Sequence, residues 1–417
     1  MISFRSKFLF SRTPSLIQVF QYQSSHNKIL TYFNQEKHLK EMLEFIPSKY
    51  LESKKYNSLE SLYLIDLYIA RNICQHMLPC LKEGHQVIAE TGAGLGLVAS
   101  ELLDNKVKNV RLYECCHEFR AALHDFNNVY PNRVELFKQN FFHLGRISNQ
   151  DKYDRGNRVS QMLKNVPTKK WQEGPCMTIF GCMVNRNFIN YLLKVIAMQT
   201  DIFTHGRIQL FVVMRPSDYI KLTADSKSNL HTYSASSVLF QIFFQHELLE
   251  KYPRQAFLPW ENKLRTRIKA RYSQTIDVDQ LYFVKIVPKR TLPVSTEHLL
   301  PLHYFVRQLF GRGTNRVLPT IEKWLPGFGK YLIVPSKKYT HYYDDISIFT
   351  MFGELNPPEI LSLFQEMTEY EGYKGSAFEA MVQSELVKYE TRESDNSLLL
   401  EDSLDQLDVE DLEEKFD

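Results

Sequence analysis

Between residues 60 and 215, helical and strand patterns of apolar positions alternate along the chain. Residues 61–80 predict a helix, and 85–90 (HQVIAE) predict a short apolar strand. A glycine turn follows, and then a helix through LGLVASELL. Further strands are predicted at 109–114 (NVRLYE), 134–139 (VELFKQ), 177–183 (MTIFGCM) and 207–214 (RIQLFVVM), with helical stretches between most of them. Such alternation predicts a mainly parallel sheet covered by helices on both faces. Polar residues 147–175, with Lys152, Arg155, Arg158, Lys164, Lys169 and Lys170, interrupt it as a predicted surface insertion. Beyond residue 290 the strand pattern weakens, and 300–310 and 360–367 read as helices.

Composition changes this picture only at the two ends. The chain has 417 residues, 44% of them hydrophobic and 13% aromatic, which is a globular composition with length enough for more than one folded unit. No apolar run reaches the length of a membrane-spanning helix, so no membrane insertion is expected. The six cysteines show no metal-ligand spacing and read as reduced. Residues 1–35 hold four basic side chains, three early phenylalanines and no acid, the composition of a mitochondrial presequence. Residues 391–417 hold eleven acidic and two basic residues and read as a flexible acidic tail, poised to compete with phosphate for a basic groove. Of 51 basic and 48 acidic residues, 45 and 37 lie between these ends, so the body is basic.

The sharpest motif is Glu90-Thr91-Gly92-Ala93-Gly94-Leu95-Gly96, directly after a strand and opening a helix. Glycines let the backbone turn tightly and let a ligand approach main-chain N–H groups. Glu114 ends the next strand, placed to accept hydrogen bonds from ribose hydroxyls. Asn140 ends the third, where a polar side chain meets an adenine edge. Spacing alone also admits a dinucleotide-binding Rossmann domain; the acid before the first glycine favours S-adenosylmethionine.

These residues resemble the ribosomal RNA adenine dimethyltransferase family, which includes the mitochondrial B-type transcription factors. The likeness runs from about residue 60 to 325. SLYL at 61–64 stands where the family has Gln-Asn-Phe-Leu, and ETGAGLG, LYE at 112–114 and QNFF at 139–142 match the next elements. VVMRPSDYIKL at 212–222 matches the last strand and helix of the catalytic domain, and FGRGTNR at 310–316 a helix start in the C-terminal domain. The resemblance implies a Rossmann-like α/β S-adenosylmethionine methyltransferase fold with a smaller, mostly helical C-terminal domain. The expected division is 36–290 for the first, 291–390 for the second. Glu90, Gly92, Gly94, Glu114 and Asn140 are the implied cofactor residues.

The departures point away from catalysis. Where the family reads Asn-Leu/Ile-Pro-Tyr/Phe, this chain has Gly181-Cys182-Met183-Val184, then Asn185. Gly181 offers no side-chain acceptor for the target amine and Val184 offers no stacking ring. Losing that positioning removes much of what methyl transfer depends on. Leu62 and Asn140 also replace an Asn and an Asp of the cofactor motifs. A glycine in this loop, with GCMVNRN at 181–187, LPW at 258–260 and FGRGTNRVLPTIEKWLP at 310–326, is similar to the second metazoan branch of the B-type factors.

That branch implies a mitochondrial matrix factor, monomeric on its own, that joins the mitochondrial RNA polymerase and helps it open promoter DNA. S-adenosylmethionine would then be a ligand the function does not require. Lys263, Arg265, Arg267, Lys269 and Arg271 occupy alternate positions, on one face of a strand or two faces of a helix, and either arrangement suits phosphates or a solvated surface. Tyr272 and Tyr282 are candidates for stacking on unpaired bases, and Arg312 and Arg316 add charge to the C-terminal domain. The competing reading is an active mitochondrial dimethyltransferase acting on ribosomal RNA.

Overall fold

The computed structural model describes residues 24–35, 37–52, 59–81, 86–227, 232–260, 279–310, 315–333 and 346–390. Two helices open it, α1 (Ser24–Gln35) and α2 (Lys37–Met42). They are followed by β1 (Tyr63–Leu64) and α3 (Leu67–Met77). The single helix expected over 61–80 is therefore two elements. Asp66 stops the helix from starting earlier: its Oδ1 accepts from the Tyr68 and Ile69 N–H groups at 2.8 and 3.1 Å, fixing the first turn at Leu67. Upstream of it, Tyr63 and Leu64 pair with β8 (Phe257–Leu258) instead.

The alternating region forms as β2 (Val87–Thr91), α4 (Leu97–Asp104), β3 (Val110–Tyr113), α5 (His117–Val129), β4 (Val134–Phe137), α6 (Leu144–Asp154), α7 (Arg158–Met162), β5 (Met177–Cys182), α8 (Asn187–Met198), β6 (Ile208–Met214), α9 (Pro216–Thr223) and α10 (Ala235–Phe243). Strands β7 (Phe244–Pro253) and β9 (Gln280–Pro288) complete a seven-stranded sheet of order β4-β3-β2-β5-β6-β9-β7. The first five strands are mutually parallel, and β9 runs antiparallel to both neighbours. Edge strand β7 buries only two of ten residues, so its charges Glu247, Glu250 and Lys251 blunt an otherwise open edge and hide its strand pattern.

Period-two burial gives each face its own core. Leu210, Val212 and Met214 of β6 join one apolar cluster, and Phe211 and Val213 join the other. The first cluster continues without a break into α11 (Leu299–Phe310), α12 (Val317–Trp324), α13 (Phe328–Ile333), α14 (Pro357–Glu369) and α15 (Ala377–Glu390). The polar stretch 147–175 is fastened to β3. Tyr113 donates its hydroxyl to the Met162 carbonyl at 2.7 Å, and Ile147, Met162, Leu163 and Val166 are buried. The second cluster takes in Ile29 and Phe33 of α1, within the expected presequence, both fully buried.

Candidate functional site

The chain runs outward from β2 through β3 to β4 and restarts on the other side of β2 with β5. The carboxyl ends of β2 and β5 therefore flank the topological switch point, where parallel sheets leave a crevice for ligands. Glu90, Gly92, Gly94, Glu114, Asn140 and Gly181 all converge on it. In the turn, Gly92, Gly94 and Gly96 have φ of +61°, +54° and +66°, a left-handed path that side chains other than glycine rarely take. Gly92 has open space where a Cβ would stand, whereas at Gly94 that Cβ would lie 2.8 Å from Cδ1 of Tyr63.

The polar groups of the crevice bond to the protein itself. Glu90 Oε2 accepts from the Ala99 N–H at 2.8 Å. Glu114 Oε2 accepts from the Gly94 N–H at 2.8 Å, and Oε1 from the Cys116 N–H at 2.7 Å and the Tyr63 hydroxyl at 3.3 Å. Asn140 Oδ1 accepts from the Thr91 hydroxyl and the Phe142 N–H, both at 2.9 Å. Thr91 Oγ1 in turn accepts from the Phe141 N–H at 2.9 Å.

Tyr63 closes the crevice. Its ring lies 4.6 Å from that of Phe119 and 4.9 Å from that of Tyr50, and Tyr50 stacks on Phe119 at 5.5 Å. Glu114 is fully buried beneath them, with three of its roughly four lone-pair sites taken. An S-adenosylmethionine ribose has no access to that carboxylate while Tyr63 stays in place. The Tyr63 hydroxyl and two backbone N–H groups thus occupy the carboxylate that a cofactor ribose would bond to. Tyr63 stands at the phenylalanine position of the cofactor motif matched by SLYL; Tyr50 was not expected at the site, because its contacts with Tyr63 and Phe119 span long stretches of chain.

Burial makes Glu90 hard to ionise, raising its pKa to about 8 despite the Ala99 N–H. Burial also raises Glu114, with the Gly94, Cys116 and Tyr63 donors pulling the other way. A carboxyl whose pKa rises on folding holds a proton that the unfolded chain has released. Its contribution is present below the unfolded value of 4.5 and is lost as pH climbs through about 8. Stability is therefore expected to fall across that window, and Glu90→Gln to flatten the fall. Urea unfolding from pH 5 to 8 measures both, and a slope the substitution leaves unchanged would contradict the burial argument.

Strand register places Gly181 and Cys182 at the end of β5. Thr91 pairs with Gly181 and Val213 with Cys182, so Gly181 lies inside the sheet and Cys182 is the first residue past the end of β2. A Cβ on Gly181 would meet Thr91 Cγ2 at 2.5 Å and the Thr91 carbonyl oxygen at 2.8 Å. Gly181 is thus a packing position. Gly181→Ala is expected to lower stability by about 1–3 kcal/mol, the usual result of overpacking; an unchanged urea midpoint would refute it. At the strand end Cys182 offers a thiol whose pKa burial raises. Met183 is buried, Val184 packs on the second cluster, and Asn185 accepts from the Asn187 N–H at 3.0 Å to start α8. None supplies an aromatic ring.

The nucleic-acid candidates divide. Lys263, Arg265, Arg267, Lys269, Arg271, Tyr272 and Arg312 lie outside the described residues. Tyr282 is buried in β9, beneath Lys251 Nζ at 5.1 Å, so it does not present a face for a base; the pairing of β9 with β6 and β7 turns it inward. Arg316 is exposed at the start of α12. Trp324 sits among Phe305 and Phe378, and Trp260 against Tyr32, as packing residues.

Comparison with known proteins gives the family. A family model described as ribosomal RNA adenine dimethylase matches residues 52–330. A Drosophila melanogaster protein named dimethyladenosine transferase 2, mitochondrial, is 30% identical over 386 residues, covering 84% of this chain and 85% of that one. A Rattus norvegicus protein of the same name is 24% identical, covering 58% and 63%. Among solved structures, the 23S rRNA methyltransferase ErmE is 14% identical with a TM-score of 0.45, covering 73% of this chain and 98% of its own. A Plasmodium falciparum dimethyladenosine transferase gives 13% and 0.45, covering 74% and 98%. With its switch-point glycine turn and a family match across two thirds of its length, the chain belongs to the ribosomal RNA adenine dimethylase family.

Proposed function

We propose that this protein is a mitochondrial transcription initiation factor that binds the mitochondrial RNA polymerase in the matrix and assists promoter melting. Its methyltransferase fold then serves as a binding scaffold, and S-adenosylmethionine is not required. One observation carries the reading: the chain's own groups take up the carboxylate at the cofactor crevice. Tyr63 covers Gly94 and bonds to the buried Glu114, and none of residues 182–185 after β5 carries an aromatic ring. A fold that keeps its core but closes its reaction site retains surfaces for partners, and the body between the two chain ends is basic.

Holding DNA open requires higher affinity for unpaired strands than for duplex. The protein is expected to bind a premelted promoter bubble more tightly than the matched duplex, as read by fluorescence anisotropy. Equal affinity for the two would remove the basis for a melting role.

A second reading is favoured by the open space over Gly92 and by the relatives' names as dimethyladenosine transferases. In it, Tyr63 swings aside, S-adenosylmethionine enters, and the protein dimethylates adenines of mitochondrial ribosomal RNA.

A further inference from the structure

The chain exposes two large apolar side chains side by side in the C-terminal region. Phe349 is 63% and Ile348 55% solvent-exposed, in a molecule that buries most of its phenylalanines. They are not on a loose loop. The Ser347 N–H donates to Thr350 Oγ1 at 2.9 Å, the Phe349 N–H to Ser347 Oγ at 3.1 Å, and the Thr350 N–H to the Ser347 carbonyl at 3.1 Å. The turn is also tied to the start of α12. Arg316 and Met351 form a bridge, the Val317 N–H donates to the Thr350 carbonyl at 2.9 Å, and the Phe352 N–H to the Asn315 carbonyl at 3.0 Å. A rigid turn therefore holds Phe349 out into water.

The Arg316 guanidinium sits over the Phe349 ring, 5.2 Å from its centroid. Among the described residues Arg316 has no carboxylate partner. The cation lies over the ring, and most of the ring and of the neighbouring Ile348 is in solvent. An arginine stacked on an exposed aromatic supplies both things an unpaired nucleotide needs: a flat face for the base and a cation for the adjacent phosphate. A duplex offers no such face, because its bases are already stacked. A protein partner would gain from the apolar pair but not from the cation.

We propose that Phe349 and Arg316 form a stacking platform for one unpaired base of single-stranded nucleic acid, Ile348 lying beside it. The proposal rests on the strand-binding reading above and names a place on the surface for it.

The test uses the full chain and a fluorescein-labelled oligothymidylate beside a matched duplex. Phe349→Ala should weaken oligothymidylate binding about five- to a hundredfold, the range for losing one base–aromatic stack, and leave duplex binding nearly unchanged. Phe349→Trp should keep the affinity and show indole quenching on binding that the wild type lacks. Arg316→Ala should lower the salt dependence by about one phosphate contact, which Phe349→Ala should not do. Because both side chains are exposed, the melting temperature should stay at the wild-type value, separating a binding defect from misfolding.

Wild-type affinity in Phe349→Ala would overturn the platform while leaving strand binding standing. Failure of the wild-type protein to bind oligothymidylate would overturn the strand-binding reading with it. Normal DNA binding with lost polymerase capture in Phe349→Ala would reassign the surface to a protein partner and also overturn the proposal.

Discussion

Tyr63→Ala is expected to lower stability by about 3–5 kcal/mol while increasing affinity for S-adenosylmethionine. The stability loss follows from packing. Tyr63 is 2% exposed and its ring touches those of Tyr50 and Phe119, so truncation leaves a cavity of aromatic size. The affinity gain follows from the same contacts. Without the ring, the backbone at Gly94 is uncovered and Glu114 loses one of its three donors. A hydrogen bond to a charged group contributes about 1.5–3 kcal/mol, so a ribose that reaches this carboxylate gains roughly ten- to a hundredfold. Tyr63→Phe separates the two causes. It removes the hydroxyl and keeps the ring over Gly94, so cofactor affinity should stay near that of the wild type. Calorimetric titration with S-adenosylmethionine measures both variants. If Tyr63→Ala binds no better than the wild type, the ring is not what closes the crevice.

The second large effect lies at the N-terminus. Phe33→Ala is expected to lower stability by about 3–5 kcal/mol, because Phe33 is fully buried with Ile29 in the cluster that also holds Phe211, Phe257 and Phe283. Neighbouring Tyr32 meets the Trp260 ring edge-on at 5.6 Å, so α1 is bound along more than one turn. A mitochondrial presequence is removed on import, and a cut after residue 35 would take Ile29 and Phe33 out of the core. A chain beginning at residue 36 should therefore unfold well below the urea midpoint of one beginning at Ser24. Equal midpoints for the two chains would show that α1 adds nothing to the fold.

Much of the sheet was legible because most of its strands are apolar and largely buried. β2 to β6 stand within a few residues of the predicted runs, and the glycine turn, Glu114 and Asn140 stand at the strand ends where spacing placed them. Two kinds of feature were not legible. Edge strand β7 carries its charges outward and shows no clean alternation, so its sequence does not read as a strand. The closing of the crevice depends on contacts across the chain, such as Tyr63 with Glu114 and Tyr50 with Phe119, for which no local pattern exists. The register of β5 belongs to the same class. Gly181 reads as a lost acceptor in sequence, and its pairing with Thr91 and tight packing could not be read there.

These contacts alter what the glycine turn means. An intact turn and acid pair suggest a ligand site, but here the acid bonds to the turn and to a tyrosine above it. A buried carboxylate satisfied by its own fold has no need of a ribose for its stability. That favours a scaffold role over a working methylation site, and it makes the two functions separable in one preparation.

The most direct measurement is runoff transcription from a mitochondrial promoter by the cognate polymerase, with and without this protein and with no S-adenosylmethionine present. Methyl transfer to a small-subunit ribosomal RNA hairpin is assayed on the same preparation. The expected result is stimulated initiation without cofactor and no dimethylation of the hairpin. Robust dimethylation with no stimulation of transcription would contradict it.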